Sequence, residues 1–286
     1  MASAPDAACT TPVTIIPRMK RIIIAALALG LSATVRAEPP AVSKPAPQTL
    51  LFLGDSITAA GGYVKLIEAE LAKQNPGNPP RVINHGRSSE TVSDLSEAYH
   101  PGRRPCLFAR LDDELAQNKP DWVVACYGIN DGIYHPYNDP RFAAYQKGIA
   151  TLSKKVRAAG CRLILLTAPP YAKPGPEFPA GTDAAARAKL LAKANTEAET
   201  EAEKDPNKFG YRTPYAYYDE VMAVYAKWLL TLDGRDGVRV IDLRTPMLAR
   251  LKESHDGDPI HPNQTGHAIM AEAFLKQWPA ISASKK

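Results

Sequence analysis

The sequence predicts an α/β fold built on a five-stranded parallel sheet covered by helices on both faces. Five short apolar runs predict the strands: Leu50–Leu53, Arg81–Asn84, Asp121–Tyr127, Arg162–Thr167 and Val238–Asp242. Each is bounded by turn residues and is too short for a buried helix. Helical stretches alternate with them, which argues parallel pairing with helices on both faces. Polar turn residues follow three of the strands: Gly54-Asp55-Ser56, His85-Gly86 and Gly128-Ile129-Asn130-Asp131. The carboxyl ends of strands are where open α/β sheets bind ligands.

Gly54-Asp55-Ser56 ends the first strand, and Tyr63 to Lys73 then reads as a helix with Val64, Ile67 and Leu71 on one face. The proline-rich stretch from Asn75 to Pro80 stops it. After the second strand, His85 to Ser89 is a loop and Thr91 to Ala98 a short predicted helix. Leu107 to Gln117 is predicted helical from the spacing of Leu107, Leu111 and Leu115. The third strand leads through an aromatic loop, Tyr134 to Pro140, into a helix from Arg141 to Ala159 closed by Gly160. Residues Pro169 to Gly237 form an insertion before the fifth strand. Within it, Asp183 to Lys204 is rich in Ala, Glu and Lys and reads as an exposed helix. Tyr215 to Leu232 reads as a second helix carrying Tyr215, Tyr217, Tyr218, Tyr225 and Trp228, aromatics expected to pack the insertion onto the sheet rather than to line a cleft. A terminal helix follows Pro262.

Met19-Lys20-Arg21, the apolar run Ile22 to Leu31, and Val35-Arg36-Ala37 make the three-part pattern of a secretory signal over residues 1–37, with Met19 as a candidate true start. The apolar run is too short to span a bilayer. Export to the periplasm or the extracellular space is therefore expected, with no membrane span once the signal is removed. Glu38 to Gln48 holds four prolines and reads as an extended leader. The main domain is expected over residues 48–280. Of the net charge of +5, three charges fall within the first 37 residues, and no basic stripe interleaved with aromatics indicates nucleic acid. Cys9 leaves with the signal, so the mature chain carries Cys106, Cys126 and Cys161. Three cysteines are not a disulfide framework, although one bridge involving Cys106 stays open.

The chemistry converges on four segments. Ser56 is placed as a nucleophile, but a serine hydroxyl needs a base within hydrogen-bond reach. His261 is the candidate base. Asp258, three residues earlier across a proline turn, would fix its tautomer and stabilise the imidazolium. The Ser56 and Gly86 amides and the Asn130 side chain would donate to the oxyanion. Taken singly, each has a plainer role: turn serine, Asx turn, loop cap, surface histidine. Asp131 is expected to brace its turn, and His255 and His267 to be surface histidines. A zinc set of His255, Asp256, Asp258 and His261 competes for the same cluster, but no helical His-x-x-x-His or Cys-x-x-Cys pair supports it, so neither metal nor cofactor is expected.

These residues resemble the SGNH (GDSL-type) hydrolases. Gly54-Asp55-Ser56-Ile57-Thr58 resembles the first block, and Asn84-His85-Gly86 with Thr91 and Leu95 the second. Gly128-Ile129-Asn130-Asp131 resembles the third, and Asp258-Pro259-Ile260-His261 the last, all in family order. The second block departs in having Ser89 where the family usually has glycine. The resemblance implies a flavodoxin-like three-layer α/β/α sandwich and metal-independent ester hydrolysis. It also implies Ser56 as nucleophile, His261 as base, Asp258 as its partner, and Gly86 and Asn130 in the oxyanion hole. The expected function is an exported serine esterase acting on a small-molecule or carbohydrate ester, with acetylated carbohydrate the leading substrate. The competing readings are a lysophospholipase or thioesterase, which a long apolar groove would favour, and a non-catalytic glycan-binding domain.

Overall fold

The computed structural model describes residues 46–283, so the signal-like segment lies outside the described residues. The chain runs β1 (Thr49–Gly54), α1 (Ser56–Ala60), α2 (Gly62–Gln74), β2 (Arg81–Asn84), α3 (Leu111–Asn118), β3 (Trp122–Cys126) and α4 (Asp139–Ala158). It continues with β4 (Arg162–Leu166), α5 (Ala184–Lys204), α6 (Tyr218–Leu230), β5 (Val238–Ile241), α7 (Arg244–Ala249), α8 (Leu251–Ser254) and α9 (Gln264–Ala283). The five strands form one sheet in the order β2-β1-β3-β4-β5. Every pairing is parallel. Right-handed crossovers then put α2 and α9 on one face and α3, α4 and α6 on the other, a three-layer α/β/α sandwich.

The apolar runs form strands because both faces of the sheet are buried. Leu50 to Leu53, Trp122 to Cys126 and Leu163 to Leu166 are all core residues. On one face Phe52 meets Phe274 of α9 at 5.8 Å and Trp122 meets Trp278 at 5.5 Å between ring centroids. On the other, Tyr145 of α4 stacks on Tyr225 of α6 at 4.8 Å and meets Trp228 at 5.7 Å. Tyr225 and Trp228 therefore pack the insertion against α4, and Tyr215 and Tyr218 are buried, whereas half-buried Tyr217 lines a surface groove beside Phe178. Helix α5 buries Ala198 and half-buries Asn195, Glu199 and Ala202, starts on an Asp183 N-cap that accepts from the Ala186 amide, and is tied to the loop before α4 through Asn195 and Tyr137.

Three local expectations fail. Thr91 to Ala98 is not helical. The amides of Val92 and Ser93 both donate to Asp131 Oδ1 at 2.8 Å, Thr91 pairs with Cys106, and Asp94 takes φ 59°, so the backbone has other partners than a helix. The segment is held instead by Arg104, which forks onto both Glu97 oxygens at 2.6 Å with both side chains buried. The stretch from Leu107 to Gln117 is divided into a 3-10 turn, Leu107–Ala109, and α3. Arg110, at φ −135°, sits at the break, its guanidinium bonded to Glu90, Glu114 and the His85 carbonyl. Helix α6 starts at Tyr218 rather than Tyr215, because the Tyr218 amide turns back to the Tyr215 carbonyl at 3.0 Å and Tyr217 takes φ −107° and ψ 38°, outside the helical region.

Candidate active site

Parallel pairing brings the strand ends to one edge of the sheet. Gly54 at the end of β1 pairs with Cys126 at the end of β3, and Phe52 with Asn84 at the end of β2. The first, second and third sequence blocks therefore emerge side by side.

Ser56 is the first residue of α1, where a backbone N–H has no acceptor within the helix. Asp55 caps that helix, its Oδ1 accepting from the Ile57 amide at 2.9 Å. The last block returns between α8 and α9. There Ser56 Oγ lies 2.8 Å from His261 Nε2, and His261 Nδ1 lies 2.7 Å from Asp258 Oδ2. An ionised carboxylate only accepts, so Nδ1 carries the proton and Nε2 is left to accept from the serine hydroxyl. Asp258 Oδ1 takes the amides of Ile260 at 2.8 Å and His261 at 3.2 Å. Partial burial opposes ionisation of Asp258, but the His261 hydrogen bond and these amides hold its pKa below the ordinary carboxylate value. The Ala172 amide donates to the Pro259 carbonyl at 2.8 Å and fixes the turn from the side of the insertion.

Gly86 packs its backbone onto α1: a Cβ there would stand 2.3 Å from the Ala59 nitrogen. Its amide donates to Asn84 Oδ1 at 3.0 Å, and Asn84 Nδ2 donates to the Thr58 carbonyl at 2.7 Å, so this turn is stitched to the helix that carries Ser56. Ser89 takes φ 64°, the left-handed conformation that glycine adopts without strain. Its Oγ lies 3.2 Å from His100 Nε2 and its carbonyl accepts from Arg104 at 3.4 Å. The serine thus keeps a glycine-like backbone, held by its neighbours.

Asn130 is buried, its Oδ1 accepting from the Tyr134 hydroxyl at 3.0 Å, while Nδ2 has no partner among the described residues. Asp131 closes its own turn, its amide donating to the Gly128 carbonyl at 2.9 Å, and its carboxylate also holds the neighbouring segment through Val92 and Ser93. Burial raises the pKa of Asp55 to about 7 and that of Asp131 to about 6.

The structure brings Ser56, Asp258 and His261 into one hydrogen-bonded chain and sets Gly86 against the helix of Ser56. His255 and His267 stand apart from that chain and are not plain surface residues. His267 stacks on Tyr63 and accepts from its amide at 3.2 Å, and His255 contacts Ser254 Oγ at 2.9 Å. Among the described residues, no three His, Cys, Asp or Glu side chains converge as metal ligands. Cys126 lies in the core, and neither it nor Cys106 forms a disulfide among the described residues.

Sequence reasoning missed the tyrosines behind Asn130. Tyr134 orients its amide, and Tyr218 donates to the Ile129 carbonyl at 2.7 Å. Tyr171 closes the cluster, edge-on to Tyr134 at 6.4 Å and to Tyr218 at 5.5 Å. The aromatic loop after β3 was the available signal, but its partners come from the distant insertion. A groove of about 870 Å³ opens beside Asp258, lined by Tyr171, Lys173, Tyr211, Arg212 and Lys252 among others.

A serine–histidine–aspartate chain at the strand ends of a three-layer α/β/α sandwich defines a hydrolase class. Residues 52–206 match the GDSL-like lipase/acylhydrolase family, and the chain belongs to that SGNH-type family of ester hydrolases. It is 24% identical over 249 residues to an acetylxylan esterase of Geobacillus stearothermophilus, covering 80% of this chain and 93% of that protein. Over 127 residues it is 35% identical to esterase TesA of Pseudomonas aeruginosa, covering 42% of this chain and 54% of TesA. Among solved structures, the Geobacillus stearothermophilus acetylxylan esterase Axe2 superposes with a TM-score of 0.55 at 24% identity, covering 81% of this chain and 94% of Axe2. BT4096, a gut microbial diltiazem-metabolizing enzyme, superposes with a TM-score of 0.57 at 21% identity, covering 81% of this chain and 46% of that one. These likenesses carry the fold.

Proposed function

We propose that the chain is an exported serine esterase that removes acetyl groups from carbohydrates through an acyl-enzyme on Ser56. The observation that carries this reading is the run of contacts from Ser56 Oγ to His261 Nε2 at 2.8 Å and from His261 Nδ1 to Asp258 Oδ2 at 2.7 Å. In the first step Ser56 Oγ attacks the ester carbonyl while His261 Nε2 takes the hydroxyl proton. Asp258 stabilises the imidazolium that results. The negative charge that forms on the carbonyl oxygen is met by the Ser56 amide, the Gly86 amide and Asn130 Nδ2. Collapse expels the alcohol, to which His261 returns the proton. Water, deprotonated by His261, then releases the acid and restores Ser56. No step calls on a metal or cofactor.

The unpartnered Nδ2 of Asn130 supports its role, since a buried donor without an acceptor suits an oxyanion that exists only in the reaction. The Gly86 amide, bonded to Asn84 Oδ1 here, would take the oxyanion as a second acceptor. The carbohydrate reading draws on the acetylxylan esterase relative. It also draws on the groove beside Asp258, where the Lys, Arg and Tyr side chains that would suit a sugar share the lining with Pro174, Pro214, Leu251 and Pro259. Export rests on the segment before residue 38.

The purified protein should hydrolyse nitrophenyl acetate and release acetate from acetylated oligosaccharides, and Ser56→Ala should abolish both with the fold retained. No hydrolysis by the wild type would favour the glycan-binding alternative. Amino-terminal sequencing of the exported protein should begin near Glu38, and a retained segment would remove the export reading.

A further inference from the structure

The groove beside Asp258 carries a charge imbalance. Lys173, Arg212 and Lys252 line it and are exposed. None of the three meets a carboxylate among the described residues. Arg212 turns instead to Tyr211, its Nε donating to the phenol oxygen at 2.7 Å and its guanidinium lying 5.3 Å from the ring centroid. The carboxylates nearby are already engaged. Asp258 holds His261, Glu253 pairs with Arg250 at 2.8 Å, Asp219 with Arg244 at 2.6 Å, and Asp256 accepts from Asn263 at 2.8 Å. Three cations thus face one groove against the single carboxylate of Asp258 in its lining, and none of the three is paired with it.

We infer that this groove selects an alcohol half bearing a carboxylate, of the kind a uronate-containing oligosaccharide presents. The inference rests on the proposed esterase site, because the groove borders Asp258 and would hold the part of the substrate that leaves. The unpaired cations supply partners for an anion. A fatty acyl chain would gain nothing from three solvated charges.

The test uses the full chain hydrolysing nitrophenyl acetate, with non-acetylated oligosaccharides as competitors, so it does not depend on where the natural acetyl group sits. At low ionic strength a glucuronate-bearing xylo-oligosaccharide should inhibit at a concentration about fivefold or more below its neutral counterpart, since each exposed charge pair is worth a factor of about 1.5 to 5. That ratio should fall toward one in about 0.5 M salt. It should fall likewise in the triple variant K173Q/R212Q/K252Q. Equal inhibition by the two sugars overturns the inference, as does a ratio that survives both salt and substitution. A parallel weakening of both sugars in the variant also overturns it, because the residues would then serve shape rather than charge. Absence of nitrophenyl acetate hydrolysis would instead sink the esterase reading, and calorimetric titration of the same two sugars would still decide the groove's preference.

Discussion

Tyr134 donates its hydroxyl to Asn130 Oδ1 at 3.0 Å and so fixes which end of that buried amide remains unbonded. If Nδ2 meets the oxyanion, Asn130→Ala should lower kcat by about a hundredfold to a thousandfold with little change in KM. Tyr134→Phe removes only the orienting bond and should lower kcat about two- to tenfold, the worth of one ordinary hydrogen bond. Steady-state kinetics on nitrophenyl acetate reads both. An unchanged kcat in Asn130→Ala would remove Asn130 from the site.

Gly86 has no room for a side chain. Its Cβ would fall 2.3 Å from the Ala59 nitrogen and 2.6 Å from the Thr58 carbonyl carbon, both backbone atoms that move only with α1. Gly86→Ala should therefore lower stability by about 1–3 kcal/mol and shift Ser56 with its helix. Thermal melting together with kcat checks this. A variant with normal melting and normal turnover would contradict the close packing.

Asp55 gives a pH signature. Burial, with the nearby charge of Asp131, lifts its pKa from 3.8 to about 7 against the opposing Ile57 hydrogen bond. The folded state then binds a proton that the unfolded state has released, so stability falls as pH rises between about 4 and 7. Asp131, raised to about 6, adds to the same slope. Asp55→Asn should flatten the dependence of Tm on pH across that window while leaving an amide oxygen to cap α1. A slope equal to that of the wild type would place its origin elsewhere.

Arg104 and Glu97 are buried together behind the second block. Glu97 is held low despite its burial, chiefly by the Arg104 hydrogen bonds, and also accepts from the Tyr211 amide at 3.3 Å. Arg104→Ala strands that carboxylate and should cost about 3–5 kcal/mol in denaturant unfolding. The double variant R104M/E97L should recover much of the loss. A single variant as stable as the wild type would contradict the burial.

The sheet was readable because apolar runs bounded by turn residues have few other fates, and the strand starting at Leu50 appears close to where the pattern puts it. Ser56, Asp258 and His261 were readable as residue types at motif spacing. Their meeting across 205 residues follows from parallel strands sharing one edge. The segment from Thr91 to Ala98 was not readable, because Asp131, distant in sequence, takes the amides that a helix would have used. The left-handed backbone at Ser89 had one signal, the glycine usual at that place in the second block, but the contacts with His100 and Arg104 that hold a serine there were hidden. The tyrosines behind Asn130 come from three segments, and only folding makes them neighbours.

The most direct measurement is mass spectrometry of the enzyme quenched while it hydrolyses nitrophenyl acetate. A transient acetyl group on Ser56 is expected, absent in Ser56→Ala and in His261→Ala, with turnover lost by several orders of magnitude in each. Turnover that persists in Ser56→Ala, or an acetyl group carried on another residue, would contradict the account.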